Sequence, residues 1–344
     1  MEIIKQMLMN DLLGLVIAFA VTAALGPVFI PWLHKLKFGQ EIREEGPKWH
    51  QKKSGTPTMG GIMFIAGIGA AIIAYIIILA AKHNINGTSL KAALVFVIAL
   101  GFGIIGFIDD YIKVVKKRNL GLTALQKFLM QLVLTAVYVS VLYFMGELKT
   151  EIYIPFVKNP VGLPVWLYIP FVMFVSVGVV NAVNLTDGLD GLAASVTIVD
   201  GIFFMLVSFV VFAASGISYF AAALTGGLFA FLIYNKYPAK VFMGDTGSLF
   251  LGAAVALMAI GLKMEIFLIL VGFVYFAETL SVIMQTSYFK YTKKKYGEGR
   301  RIFKMTPIHH HFEMCGWTEK KIVRVFTLVT LLLCLTAWLG APMA

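Results

Sequence analysis

Five of the chain's seven aspartates, Asp109, Asp110, Asp187, Asp190 and Asp245, stand among amides, glycines or lysines at the ends of long apolar runs. Carboxylates in that setting are hard oxygen ligands, suited to Mg²⁺ or Mn²⁺ rather than zinc. Magnesium usually takes one or two protein carboxylates and leaves its other positions to water and substrate phosphate. Lys113, Lys116, Lys117, Arg118 and Lys127 lie near the first pair, and Lys48, Lys52 and Lys53 lie on an earlier polar segment. Bases beside metal-binding carboxylates imply an anionic substrate, with phosphate the leading class. Gly244-Asp-Thr-Gly-Ser248 opens an apolar run, so its free N–H groups could face a phosphate.

The densest polar stretch is Asn181-Ala-Val-Asn-Leu-Thr-Asp-Gly-Leu-Asp-Gly191. Asn181, Asn184 and Asp187 are three apart and would share one face of a continuing helix. Gly188 and Gly191 allow close backbone approach, or positive φ where the chain turns. This is the composition of a pocket floor for a metal, a phosphate or both, although a helix end, turn and N-cap use the same residues. Asp109-Asp110 closes an apolar run, where carboxylates oppose the helix dipole, which favours a functional cause. His309, His310 and His311 are consecutive and diverge on a helix, so they do not bind one metal together. One or two of them could donate to a phosphate or a base. Asp200 and Glu278 lie inside apolar runs, where charge is expensive. They read as interhelical hydrogen bonds, the alternative being a transporter's proton path.

The elements that position these groups are membrane helices. Of 344 residues, 59% are hydrophobic and 14% charged, against about 25% charged in soluble domains. Apolar runs at 12–32, 59–81, 92–108, 128–145, 163–183, 192–214, 217–233, 248–262, 266–284 and 322–341 predict an all-α polytopic membrane protein with ten transmembrane helices. The run 248–262 is short, a thin span or a re-entrant element. The first run is too long for a signal-peptide core and reads as a retained span. Cys315 and Cys334 form no disulfide or zinc pattern. The connection 146–162 could form a small β-hairpin. Aromatic and basic residues interleave over 285–304, as in an anchor on anionic membrane lipid. Basic charge is thus assigned to lipid and substrate, not to nucleic acid.

Alternate connections, about 33–58, 109–127, 184–191, 234–247 and 285–321, together with Arg324, hold 23 of the 29 Lys and Arg residues. That asymmetry predicts a cytoplasmic location for them and both termini outside. Asp109-Asp110, 181–191, 235–248 and 305–313 are separated by even numbers of crossings. All four therefore belong to one face, expected to be the cytoplasmic one.

Five motifs occur in order: Ser54-Gly-Thr-Pro-Thr-Met-Gly-Gly61, Phe107-Ile-Asp-Asp-Tyr-Ile-Lys113, Asn181–Gly191, Val241-Phe-Met-Gly-Asp-Thr-Gly247 and Pro307-Ile-His-His-His-Phe-Glu313. In these the chain resembles the phospho-N-acetylmuramoyl-pentapeptide transferases, of the polyprenyl-phosphate N-acetylhexosamine-1-phosphate transferase superfamily. The histidine motif points to this branch rather than to relatives using UDP-GlcNAc. The resemblance covers about residues 35–325. It implies one catalytic domain, 1–344, in the bacterial cytoplasmic membrane, homodimeric, transferring phospho-MurNAc-pentapeptide from UDP-MurNAc-pentapeptide to undecaprenyl phosphate with Mg²⁺. Asp245 is then the main metal ligand, with Asp109 and Asp110 as further candidates. Asp109 would orient the lipid phosphate, with Asp110 beside it, and Lys113 and Lys127 would hold phosphates. Asn184, Asp187, Gly188, Leu189 and Asp190 would floor the uridine, with Phe242 stacking on uracil. His309 and His310 are implied as catalytic alongside the aspartates, and Asn181, Asn235, Gln285 and His311 as further substrate-binding residues.

Overall fold

A backbone in lipid must satisfy its own hydrogen bonds, so apolar runs of this length become helices. The computed structural model describes residues 2–35, 53, 55–83, 86–115 and 121–342. Long helices are α1 (Glu2–Lys35), α2 (Gly61–Ala81), α3 (Gly87–Val115), α4 (Ala124–Phe144), α5 (Val165–Thr186), α6 (Leu192–Val210), α7 (Ser215–Asn235) and α8 (Gly244–Gly261). Then come the short α9 (Leu268–Val271), α10 (Phe273–Tyr296), the short α11 (Ile308–Met314) and α12 (Glu319–Leu339). Among the described residues nine helices are long and apolar enough to cross a membrane, or ten spans if the bent α9–α10 pair is one. The chain is an all-α polytopic membrane protein. Its expected hairpin is present, with β1 (Glu151–Ile152) antiparallel to β2 (Val161–Gly162).

The core is centred on α7 and α8. Fifteen of the eighteen residues of α8 are buried, and α3 and α5 pack along it while α1, α2 and α6 surround α7. The short run is therefore the most enclosed helix, about 27 Å long at 1.5 Å per residue. It needs fewer apolar residues because protein, not lipid, covers it. The run 266–284 differs from the single straight span expected. It breaks at Gly272, where the two halves meet at 82°. Carboxylates on either side are tied to different partners. Tyr168 of α5 donates to Glu265 at 2.7 Å, and Glu278 pairs with His309. Asp200 of α6 accepts from Tyr275 of α10 at 2.6 Å, the interhelical hydrogen bond its sequence position suggested.

Candidate active site

The helix α3 does not stop at Asp109-Asp110 but runs on to Val115, which puts both carboxylates on its final turns. Their separation follows from helix geometry, because adjacent residues diverge. Asp110 turns toward α8 and accepts from the Asp245 N–H at 3.2 Å, the Thr246 N–H at 2.9 Å and the Thr246 hydroxyl at 2.8 Å. It thus caps the start of another helix, where negative charge is favoured by the dipole. The two helices meet at Gly106, where any Cβ would overlap the Asp245 carbonyl.

Asp109 faces the other way, into the site. Its Oδ1 accepts from the Leu122 N–H at 2.7 Å. Lys113, one turn along α3, lies 2.5 Å from Asp109 Oδ2 and 3.0 Å from Asp245 Oδ2. Lys127 lies 3.0 Å from Asp109 Oδ1 and 2.8 Å from Asp245 Oδ2. A capping box of Thr123 and Gln126 starts α4 and fixes the turn that carries Lys127. Asn184 donates to Asp245 Oδ1 at 3.0 Å and to Ser248 Oγ at 2.7 Å. Ligand atoms of Asp109, Asp110 and Asp245 lie within 4.8 Å of one another. Asp109 Oδ2 is buried with no aligned hydrogen bond, although it stands at ion-pair distance from Lys113. The carboxylates of Asp109 and Asp245, hard oxygens set side by side with Asp110 behind them, fit a divalent cation.

The 187–191 turn forms the adjoining wall. Gly191 takes φ 78° and donates its N–H to Asn235 Oδ1 at 3.1 Å, while the Asn235 amide donates to the Val241 carbonyl at 2.9 Å. Asn235 is therefore a clamp between two loops, with both ends of its amide engaged. Asp190 is also engaged. It accepts from the Ala239 N–H at 2.9 Å and from Lys53 at 2.7 Å, and Glu319 accepts from Lys53 and from the Asp190 N–H. Burial works against the Lys53 charge, but hydrogen bonds and attraction from Asp190 and Glu319 outweigh it and raise the ammonium pKa. Leu189 is buried beneath the turn. Phe242 is half-buried, and its backbone pairs with Pro57 and Gly60 at 2.8 Å each, joining the first motif to the fourth.

Asp187 remains at the pocket. Burial, then the charges of Asp245, Asp110 and Asp190, raise its carboxyl well above the usual carboxylate range. A group with a raised folded pKa contributes stability at acid pH, and loses it as pH rises through the folded value. Asp187→Asn should therefore unfold at a higher temperature than the parent at mildly alkaline pH, in detergent without nucleotide or metal. The difference should close as pH falls to the ordinary carboxylate range. A lower Tm for the variant at alkaline pH would contradict this.

The three histidines diverge as their spacing requires. His309 lies against Glu278 with 3.0 Å from Nδ1 to Oε2, His310 Nδ1 lies 2.7 Å from Glu313 Oε2, and His311 Nδ1 accepts from the Lys304 N–H at 3.1 Å. His309 is fully buried behind Gly188, so it reaches the pocket only through that turn. Gln285 binds the Ile302 and Phe303 N–H groups at 2.9 and 3.0 Å and donates to the Phe303 carbonyl. It shapes the 302–304 loop rather than facing the carboxylates. Asn181 donates to Gln131 at 2.8 Å and lines a cavity of about 650 Å³ with Leu122, Ala124, Leu125, Lys127 and Phe128. Lys48, Lys52, Lys116, Lys117 and Arg118 lie outside the described residues. Thr246, Ser248, Gln131 and Glu319 were not singled out from sequence. Only Thr246 and Ser248 carried a signal, their place in Gly244–Ser248.

The four polar motifs are thus gathered at one end of the bundle, as the even number of crossings required. Residues 92–263 match the family profile Glycosyl transferase family 4, and residues 53–65 match phospho-N-acetylmuramoyl-pentapeptide-transferase signature 1. A curated phospho-N-acetylmuramoyl-pentapeptide-transferase of Clostridium perfringens is 49% identical, over 98% of this chain and 99% of its own. One from Clostridium acetobutylicum is 50% identical over 95% and 98%, and one from Halalkalibacterium halodurans is 47% identical over 95% and 96%. Such identity over nearly the full length, together with the shared signature, shows that the chain belongs to the phospho-N-acetylmuramoyl-pentapeptide-transferase family.

Proposed function

We propose that this protein transfers phospho-MurNAc-pentapeptide from UDP-MurNAc-pentapeptide to undecaprenyl phosphate, giving lipid I and UMP. The observation that carries this reading is the convergence of Asp109, Asp245, Lys113, Lys127 and Asn184 at one end of a membrane bundle. A soluble anionic sugar nucleotide and a lipid phosphate can meet there. The excess of Lys and Arg in the connections of that end supports a cytoplasmic orientation, in the bacterial cytoplasmic membrane.

The residues divide the work. Lys113 and Lys127, each lying between Asp109 and Asp245, are placed to hold the substrate phosphates. Asp109 orients the lipid phosphate, and the groove beside Lys127 offers its first isoprene units an apolar bed. A phosphate monoester has a second pKa of about 6, so the acceptor is largely dianionic at neutral pH and needs no strong base. Its oxygen attacks the sugar-linked phosphorus as the bond to UMP breaks, an in-line transfer governed by positioning and charge neutralisation. Asp245 is the principal holder of Mg²⁺, or Mn²⁺ in its place, with Asp109 at its side and Asp110 occupied in capping α8. Bound there, the cation supplies neutralisation of the pyrophosphate charge.

Asn184, Asp187 and Gly188 form the uridine wall, and Phe242 stacks on uracil. Aromatic stacking on a base is worth about 1–3 kcal/mol, so Phe242→Ala should weaken UMP binding about tenfold or more. Unchanged UMP affinity would remove Phe242 from the site. The reading as a whole is tested by offering UDP-MurNAc-pentapeptide and UDP-GlcNAc separately to the reconstituted protein. Turnover with the first alone is expected, and equal turnover with UDP-GlcNAc would move the protein to a sister branch.

A further inference from the structure

Glu278 is a carboxylate without exposed surface inside a membrane helix, and the reaction as described does not use it. Such a charge is costly unless paired. Its Oε2 lies 3.0 Å from His309 Nδ1 and accepts from the His309 N–H at 3.3 Å. The ring is clasped from one side, against the neighbouring His310 ring at 4.1 Å between centroids. Neither ring nitrogen makes an aligned hydrogen bond, and Nδ1 is held only by its closeness to the carboxylate; on the far side Nε2 occupies the space that a Cβ on Gly188 would need. The chain thus stacks four layers in order: carboxylate, imidazole, glycine backbone, pocket. A carboxylate 3.0 Å from Nδ1 favours the proton on that nitrogen by its charge, and its hydrogen bond from the His309 backbone N–H ties it to the residue that carries the ring. Any other residue than glycine at 188 would push the ring off its carboxylate.

We propose that Glu278 is a positioning residue for the reaction: it holds the His309 imidazole, protonated at Nδ1, against Gly188 and so sets the 187–191 turn that receives the nucleotide. This rests on the reading of that turn as the nucleotide wall. The consequence is that nucleotide affinity depends on a carboxylate that touches no substrate, on the far side of a buried ring.

The test uses the full-length protein in nanodiscs. With six histidines in the chain, ¹⁵N-histidine labelling gives a tractable spectrum, and His309 is identified by its loss in His309→Asn. The expected wild-type ring carries its proton on Nδ1. In Glu278→Gln the Nδ1 signal should shift, with UMP affinity, by calorimetry, falling about tenfold, or roughly 1.4 kcal/mol. A ring protonated on Nε2 alone in the parent protein overturns the proposal, whether or not the variant folds. So does unchanged UMP affinity in a folded Glu278→Gln. Asp187→Asn separates the two readings. If it weakens UMP binding while Glu278→Gln does not, the strut fails and the wall stands. If neither variant changes UMP affinity, the wall itself is wrong.

Discussion

Asp245→Asn should lower turnover by about 10²–10³-fold, the usual cost of losing one preorganised electrostatic group. Asp245 is where the site's charges meet, since Lys113, Lys127 and Asn184 all converge on its two oxygens. Asparagine keeps the volume but removes the charge that opposes both ammonium groups and the strongest oxygen donor for a divalent ion. The start of α8 should survive, because its cap is supplied by Asp110 through the backbone and Thr246. The variant should therefore fold, with a thermal transition close to the parent's. Raising Mg²⁺ should not restore turnover. Parent-like kcat in a folded Asp245→Asn would remove this residue from the chemistry.

Gly106→Ala should cost nearly as much without touching a reacting group. The added methyl would overlap the Asp245 carbonyl and lie 2.6 Å from the Thr246 nitrogen. Both are backbone, so no rotamer relieves the clash, and α3 must shift relative to α8. That shift moves Asp109 and Lys113 away from Asp245. A displacement of about 1 Å among reacting groups can cost about 10²-fold in rate, while overpacking costs about 1–3 kcal/mol of stability. Gly103→Ala is the control. Its Cβ would stand 3.4 Å from Ile65, Phe250 and the Thr246 carbonyl, an ordinary contact, so near-normal turnover is expected. Equal activity of the two variants would show that the close approach at Gly106 does not set the site.

The sequence carried the helices and the gathering of the motifs, because both follow from lengths of apolar run and from counting crossings. It carried less of how each polar residue is spent. Asp109 and Asp110 are chemically identical neighbours, and only the packing of α3 on α8 separates the pocket carboxylate from the helix cap. Asp190 and Asn235 belong to the polar motifs but tie loops together, Asp190 through Lys53 and Glu319. Nothing local to Glu319 marks it, since the partners are more than a hundred residues away. The motif of His309 implies a reacting group but says nothing of its burial behind Gly188, which comes from packing. The break at Gly272 was hidden for another reason. Hydropathy reports how long a run is, and not whether its two ends are anchored in different directions.

The most direct measurement is UMP release from UDP-MurNAc-pentapeptide by the full-length protein in proteoliposomes, with undecaprenyl phosphate and Mg²⁺ each added or withheld. A single site in which the lipid phosphate attacks directly should release UMP only when both are present. Labelled UMP exchanging into UDP-MurNAc-pentapeptide with no lipid acceptor would contradict it.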